Sequence, residues 1–146
     1  MSTPDEAAAV ARALVTAALD AGADAADAVV ADGTGLEVGI RLGEPEKLVR
    51  SRERRAGLRV LLGGATAIVS SADLTAATLT DLARQACELA RATAPDPHAG
   101  LPDPADLAGA TPDLDLWDDA ATTLEPDAGF ALATRAERAA LEAAPA

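Results

Sequence analysis

The chain has 146 residues, a formal net charge of -12 and an isoelectric point near 4.3, the size of one ordinary domain. That charge repels a polyanion and argues against nucleic acid as a partner. Trp117 and Phe130 are its only aromatic residues, too few for a site that stacks rings, bases or sugars.

The first predicted element is a helix. Thr3-Pro4-Asp5-Glu6 offers a capping box with proline at the first helical position. Val10, Leu14, Ala17, Ala18 and Ala21 give a narrow, alanine-rich stripe suited to close packing on a sheet, and Gly22 is a good terminator. Short strands are expected next. Residues 25–31 read as the first, and Gly33 and Gly35 frame a turn. Leu36, Val38, Ile40 and Leu42 then alternate with Glu37, Gly39 and Arg41, the period of a sheet with one buried face. Gly43-Glu44-Pro45 marks a further turn before a strand over 47–53. Leu58, Val60 and Leu62 point one way in the next strand, with Arg59 opposite. Gly63-Gly64 is a strong hairpin signal, and residues 66–71 return as the partner strand.

Thr75 is placed to cap a second helix with Leu79, Leu82, Ala83, Ala86, Leu89 and Ala90 buried and Cys87 near them. Pro95, Pro97, Pro102, Pro104 and Pro112 then interrupt the chain. A Pro- and Asp-rich strap follows, with Leu107, Leu114, Leu116 and Trp117 as apolar pins. It is long for a structureless connection inside a compact domain. A last helix is predicted over 127–143, with Phe130, Leu132 and Leu141 apolar. The fold class expected is α+β, a largely antiparallel sheet of about four to five strands packed by two long helices. The expected division is a core over 1–94, the strap over 95–125, and a helix over 126–146 leading toward a further C-terminal domain.

Few side chains here can do chemistry. His98 is the only imidazole, which rules out any paired-histidine zinc motif within the chain. Asp96, His98, Asp103 and Asp106 could in principle surround a cation; the plainer reading is a set of solvated loop groups beside prolines. Cys87, in an alanine-rich helix with no histidine nearby in sequence, reads as a buried structural thiol. Ser70 and Ser71 lack the glycine pattern of a nucleophile elbow, and Gly63-Gly64 lacks the rest of a phosphate loop. No catalytic, metal or cofactor residue is assigned.

The contact candidates are of two kinds. Arg41, Lys47, Arg50, Arg52, Arg54, Arg55 and Arg59 crowd one stretch, whereas residues 92–134 hold no Lys or Arg. The basic run is either a local anion or partner site or a solvated strand edge whose charges discourage pairing. Trp117 either anchors the strap on the core or plugs an interface. The possible partner contacts are therefore Arg50, Arg52, Arg54, Arg55, Leu114, Leu116 and Trp117. A lone cysteine suits a reducing compartment. No signal peptide is visible, and no run approaches the roughly 20 apolar residues that cross a bilayer. The cytoplasm is the expected location, with no membrane partner.

Together these pieces resemble the N-terminal domain of the TldD/PmbA family, closer to its PmbA (TldE) branch. The resemblance rests on Ala21-Gly22-Ala23-Asp24-Ala25-Ala26-Asp27 and on Gly57-Leu58-Arg59-Val60-Leu61-Leu62-Gly63-Gly64. Ser70-Ser71-Ala72-Asp73-Leu74-Thr75 is similar to the family's S-T-x-D-L-S at a helix start. Asp96-Pro97-His98-Ala99-Gly100-Leu101-Pro102 is similar to D-P-Y-A-G-L-P, and Asp113-Leu114-Asp115-Leu116-Trp117-Asp118 to D-L-D-L-Y-D. Ala65 stands where an arginine is common and Ala67 where glycine is common, while His98 and Trp117 replace tyrosine. The resemblance implies dimeric zinc metallopeptidases that act on peptides or unfolded protein. It places the zinc motif in a TldD-type C-terminal region, outside what this chain matches. It implies a non-catalytic domain that helps form the peptide chamber and meets a TldD-like or PmbA-like subunit, with no cofactor of its own. A stand-alone adaptor that lost the peptidase half competes with this reading. A small-molecule or nucleic-acid module built on residues 50–59 is a third, opposed by the net charge.

Overall fold

The computed structural model describes residues 3–107, 109, 112–116 and 118–144. In chain order the elements are α1 (Pro4–Asp20), β1 (Ala25–Arg41), β2 (Glu44–Leu62), β3 (Ala65–Ser71), α2 (Ala76–Arg91), a 3-10 turn (Pro104–Asp106), α3 (Asp119–Thr122) and α4 (Pro126–Ala143). The three strands form one sheet in the order β1-β2-β3. The class is α+β, as expected.

The strand count differs from the four to five expected. Gly33 and Gly35 do not turn the chain: neither has positive φ, and both lie inside the unbroken β1. A glycine inside a strand also marks close backbone approach. At Gly35 a Cβ would stand 2.9 Å from Ser51 Oγ, and at Gly39 it would stand 3.1 Å from Lys47 Cβ. The turn lies at Leu42-Gly43, whose φ values of 54° and 81° are both positive, the signature of a two-residue type I′ hairpin. Pro45 sits at the start of β2, where a proline is tolerated.

The chain divides into two compact units, residues 1–32 with 53–110 and residues 33–52 with 111–146. In the first, α1 opens with the capping box: Glu6 N–H donates to Thr3 Oγ1 at 3.2 Å and Thr3 N–H to Glu6 Oε2 at 2.8 Å. It closes with Ala23 N–H donating to Ala18 O and Gly22 N–H to Leu19 O, both at 3.0 Å, with Gly22 at φ 98°, a Schellman cap. β2 pairs antiparallel with β3 from Ala56↔Ser71 to Leu62↔Ala65. Gly63 and Gly64, at φ 60° and 79°, make their turn. Asp24 grips it, since Asp24 Oδ2 accepts from Gly63 N–H at 2.7 Å while Asp24 N–H donates to Leu61 O at 2.9 Å. The strand period decides the core. Leu58 and Val60 are buried against Leu14, Ala18, Leu79, Leu82, Ala83, Ala86, Cys87 and Ala90. Arg59 faces the other way and meets Asp27 through two hydrogen bonds of 2.8 and 2.9 Å. This pair holds the guanidinium yet more firmly protonated, first through the hydrogen bond itself.

Thr75 is the N-cap residue of α2, but its hydroxyl makes no cap bond to the helix backbone. Asp73 instead gathers the turn. Its carboxylate accepts from Thr75 N–H at 3.0 Å and from the Thr78 hydroxyl at 2.7 Å. An acidic acceptor near a helix start is favoured by the helix dipole.

In the second unit α4 approaches the strand closely at Gly129. A Cβ there would come within 3.3 Å of both methyl groups of Val38 and 3.6 Å of Leu36. Leu36, Val38 and Ile40 thus belong to this unit, with α4 on Leu36 and Val38. Leu132 and Leu141 of α4 are exposed, so Gly129 rather than the leucines marks its buried side. Gly43 N–H donates to Glu137 Oε2 at 3.0 Å, which holds the hairpin tip to the helix.

Candidate interaction surfaces and family

Every residue of β2 from Glu44 to Arg55 is exposed. Within this stretch the basic side chains are mostly paired. Arg41 meets Glu46 at 3.3 Å and Lys47 meets Glu37 at 2.6 Å. Arg54 lies 3.8 Å from the buried carboxylate of Asp32. Arg50 Nη2 donates to Leu124 O and to Glu125 Oε2, both at 3.4 Å, joining β2 to the residues just before α4. Arg52 and Arg55 have no hydrogen-bond or ion-pair partner among the described residues. The basic run is thus a row of side chains with different roles, not one cationic patch. Arg50 and Arg52 share a groove of about 310 Å³ with Thr34, Leu36, Ala121 and Leu124. Arg54 and Arg55 lie in the first unit, on opposite faces of β2 by the pleat.

The carboxylate partners are what the residue-by-residue reading missed. Asp27–Arg59 and Asp32–Arg54 share the register that sets Gly35 opposite Ser51, one residue out of step with a count outward from the Leu42-Gly43 turn, so the turn by itself does not find them.

Residues 112–116 of the strap form neither helix nor strand. Leu114 is 59% exposed and Leu116 86%. Trp117 lies outside the described residues. Cys87 is buried, and its thiol approaches Ala18 O at 3.7 Å. His98 is exposed in a turn closed by its own N–H donating to Asp96 Oδ1 at 2.8 Å.

The family model described as PmbA/TldA metallopeptidase domain 1 matches residues 26–90, from β1 through nearly all of α2. The chain is 38% identical over 120 residues to Metalloprotease PmbA of Escherichia coli O157:H7, covering 82% of this chain and 26% of that protein.

The chain belongs to the TldD/PmbA family.

It is also 33% identical over 129 residues to the Metalloprotease PmbA homolog of Haemophilus influenzae, covering 88% of this chain and 28% of that protein. It therefore spans about a quarter of the length of these curated relatives. A crystal structure from Bacteroides thetaiotaomicron, described as a modulator of DNA gyrase, has the same fold. The TM-score is 0.82 at 23% identity, over 95% of this chain and 31% of that one.

Membership in TldD/PmbA raises the question of zinc. The donors here do not fit the ion: among the described residues no three His, Cys, Asp or Glu side chains gather where a metal could sit. The cysteine thiol is spent in the core and the imidazole lies in an exposed turn. Among the described residues no helix is long and apolar enough to cross a membrane.

Proposed function

We propose that this chain acts as a non-catalytic N-terminal domain of a cytoplasmic PmbA/TldD-like zinc metallopeptidase assembly. It helps shape the chamber that accepts peptide or unfolded protein and contributes contacts between subunits. The match of residues 26–90 to the family's first domain carries this reading. A sequence with one histidine supports the non-catalytic part, because zinc peptidase chemistry needs several convergent ligands and an open coordination position. In this reading the zinc resides in a TldD-type subunit, α4 leads toward a C-terminal domain, and the strap with Leu114, Leu116 and Trp117 meets a neighbouring domain or subunit. Exposed apolar side chains on such a segment are what an interaction site offers.

The test is association. The purified chain, mixed with a TldD-type zinc subunit, should elute as a complex whose mass by light scattering exceeds either component. Leu114→Asp with Leu116→Asp should weaken that complex while the thermal unfolding of the chain alone stays unchanged. Two separate peaks at micromolar concentration, with the wild-type chain folded, would contradict the assembly role and favour a stand-alone adaptor.

A further inference from the structure

The groove in the second unit has a donor set that the family reading does not use. We propose that it binds a carboxylate carried on a small aliphatic body. Its floor is Thr34 and Leu36 of β1 beside Arg50 and Arg52 of β2, and Ala121 and Leu124 wall it. Gly35 abuts Ser51, so the antiparallel register sets Thr34 beside Arg52 and Leu36 beside Arg50. Residues two apart on a strand share a face at about 7 Å. Arg50 and Arg52 therefore rise from the same face of β2, and like charges on neighbouring positions disfavour each other.

Scarcity of acid does not explain the arrangement, since the chain has 24 carboxylates to 12 basic side chains. Yet Arg52 has no partner among the described residues. Arg50 spends one nitrogen on Leu124 O and Glu125 and keeps its other donors, of the five a guanidinium carries. The planar fork of arginine matches a carboxylate through two parallel hydrogen bonds, and Thr34 lies across the ladder from Arg52. Leu36, Ala121 and Leu124 give the ligand's body an apolar wall. Glu125 beside Arg50, and the net charge of -12, count against a multiply charged phosphate. The guanidinium groups are exposed, so the affinity is modest, with a Kd on the order of 1 mM. The carboxylate is either the C-terminus of a peptide or that of a free short-chain acid. Neither depends on whether the chain joins a peptidase assembly.

The full chain should be titrated with N-acetyl-leucine and, in parallel, with the neutral N-acetyl-leucinamide, following the backbone amide resonances of residues 34–36 and 50–52. The acid should give saturable shifts and the amide none. Arg52→Gln should weaken binding about tenfold, and Arg52→Lys should restore part of it. Arg55→Gln, which removes an exposed arginine of the other unit, should leave the Kd unchanged. The amide spectrum of each variant reports that it is folded. An acetylated dipeptide binding more tightly than isovalerate would identify a peptide terminus; the reverse order would identify a free acid. The proposal is overturned by equal shifts from acid and amide, by Arg55→Gln costing as much as Arg52→Gln, or by inorganic phosphate binding as tightly as the acid.

Discussion

Leu42 holds φ 54° in the first hairpin turn and is 85% exposed, so it carries the strain of a left-handed residue without burying its side chain. Asparagine tolerates that region far better. Leu42→Asn should raise stability by about 0.5–1 kcal/mol, read as a higher urea midpoint with an unchanged slope. An unchanged or lower midpoint would show that the leucine is not strained there. At the opposite extreme, Val60 is fully buried in the first unit. Val60→Asp should cost about 3 kcal/mol or more from an unpaired buried carboxylate, and a loss below about 1 kcal/mol in the same measurement would place that side chain outside the core. Asp73 gives a pH dependence. Its pKa is lowered, first by the hydrogen bond from the Thr78 hydroxyl and then by that from the Thr75 backbone N–H. A carboxyl whose folded pKa lies below its unfolded value, about 3.9, stabilises fully above that unfolded value. The contribution then fades as pH falls through the lower folded pKa. The melting temperature of the wild type should therefore exceed that of Asp73→Asn at pH 6, and the gap should close as pH drops below about 4. A gap that stays constant to pH 2.5 would assign the effect to something other than the charge of Asp73.

Among the elements, α1 was legible almost to the atom, because a capping box and a Gly22 stop are local signals written in consecutive residues. The β2–β3 hairpin was equally legible, since Gly63-Gly64 fixes both turn and register. β1 and the first half of β2 were not. Glycine speaks for a turn and for close strand approach alike, and only pairing decides; Gly35 abuts Ser51 across the hairpin. A leucine at positive φ has no sequence signal, which moved the expected turn from Leu42-Gly43 to Gly43-Glu44-Pro45. The candidate site suffered most. Charge clustering marked the arginines, but the pleat and the pairing partners separated them. Arg50–Glu125 joins residues far apart in the chain, so no local reading reaches it. For the strap, the amides of residues 112–116 should exchange with solvent at rates near those of an unstructured peptide in the isolated chain. They should slow at least tenfold in a full-length relative-sized protein or complex. Strong protection in the isolated chain would mean the strap closes this chain's own core, and the assembly role of Leu114 and Leu116 would fall.

At the scale of the whole molecule, the proposed role is that of a part that packs and positions; the small-residue core and the family's first-domain match support it. The proposed role assigns the chemistry to another subunit and only positioning to this chain, with its one imidazole and one buried thiol. The most direct measurement is peptide cleavage by the purified chain alone. Unfolded protein and short peptides should be incubated with it, with and without zinc, and the products read by mass spectrometry across successive column fractions. Intact substrate is expected in every fraction that contains the chain. Zinc-dependent fragments that follow the chain through each column would contradict the proposed role.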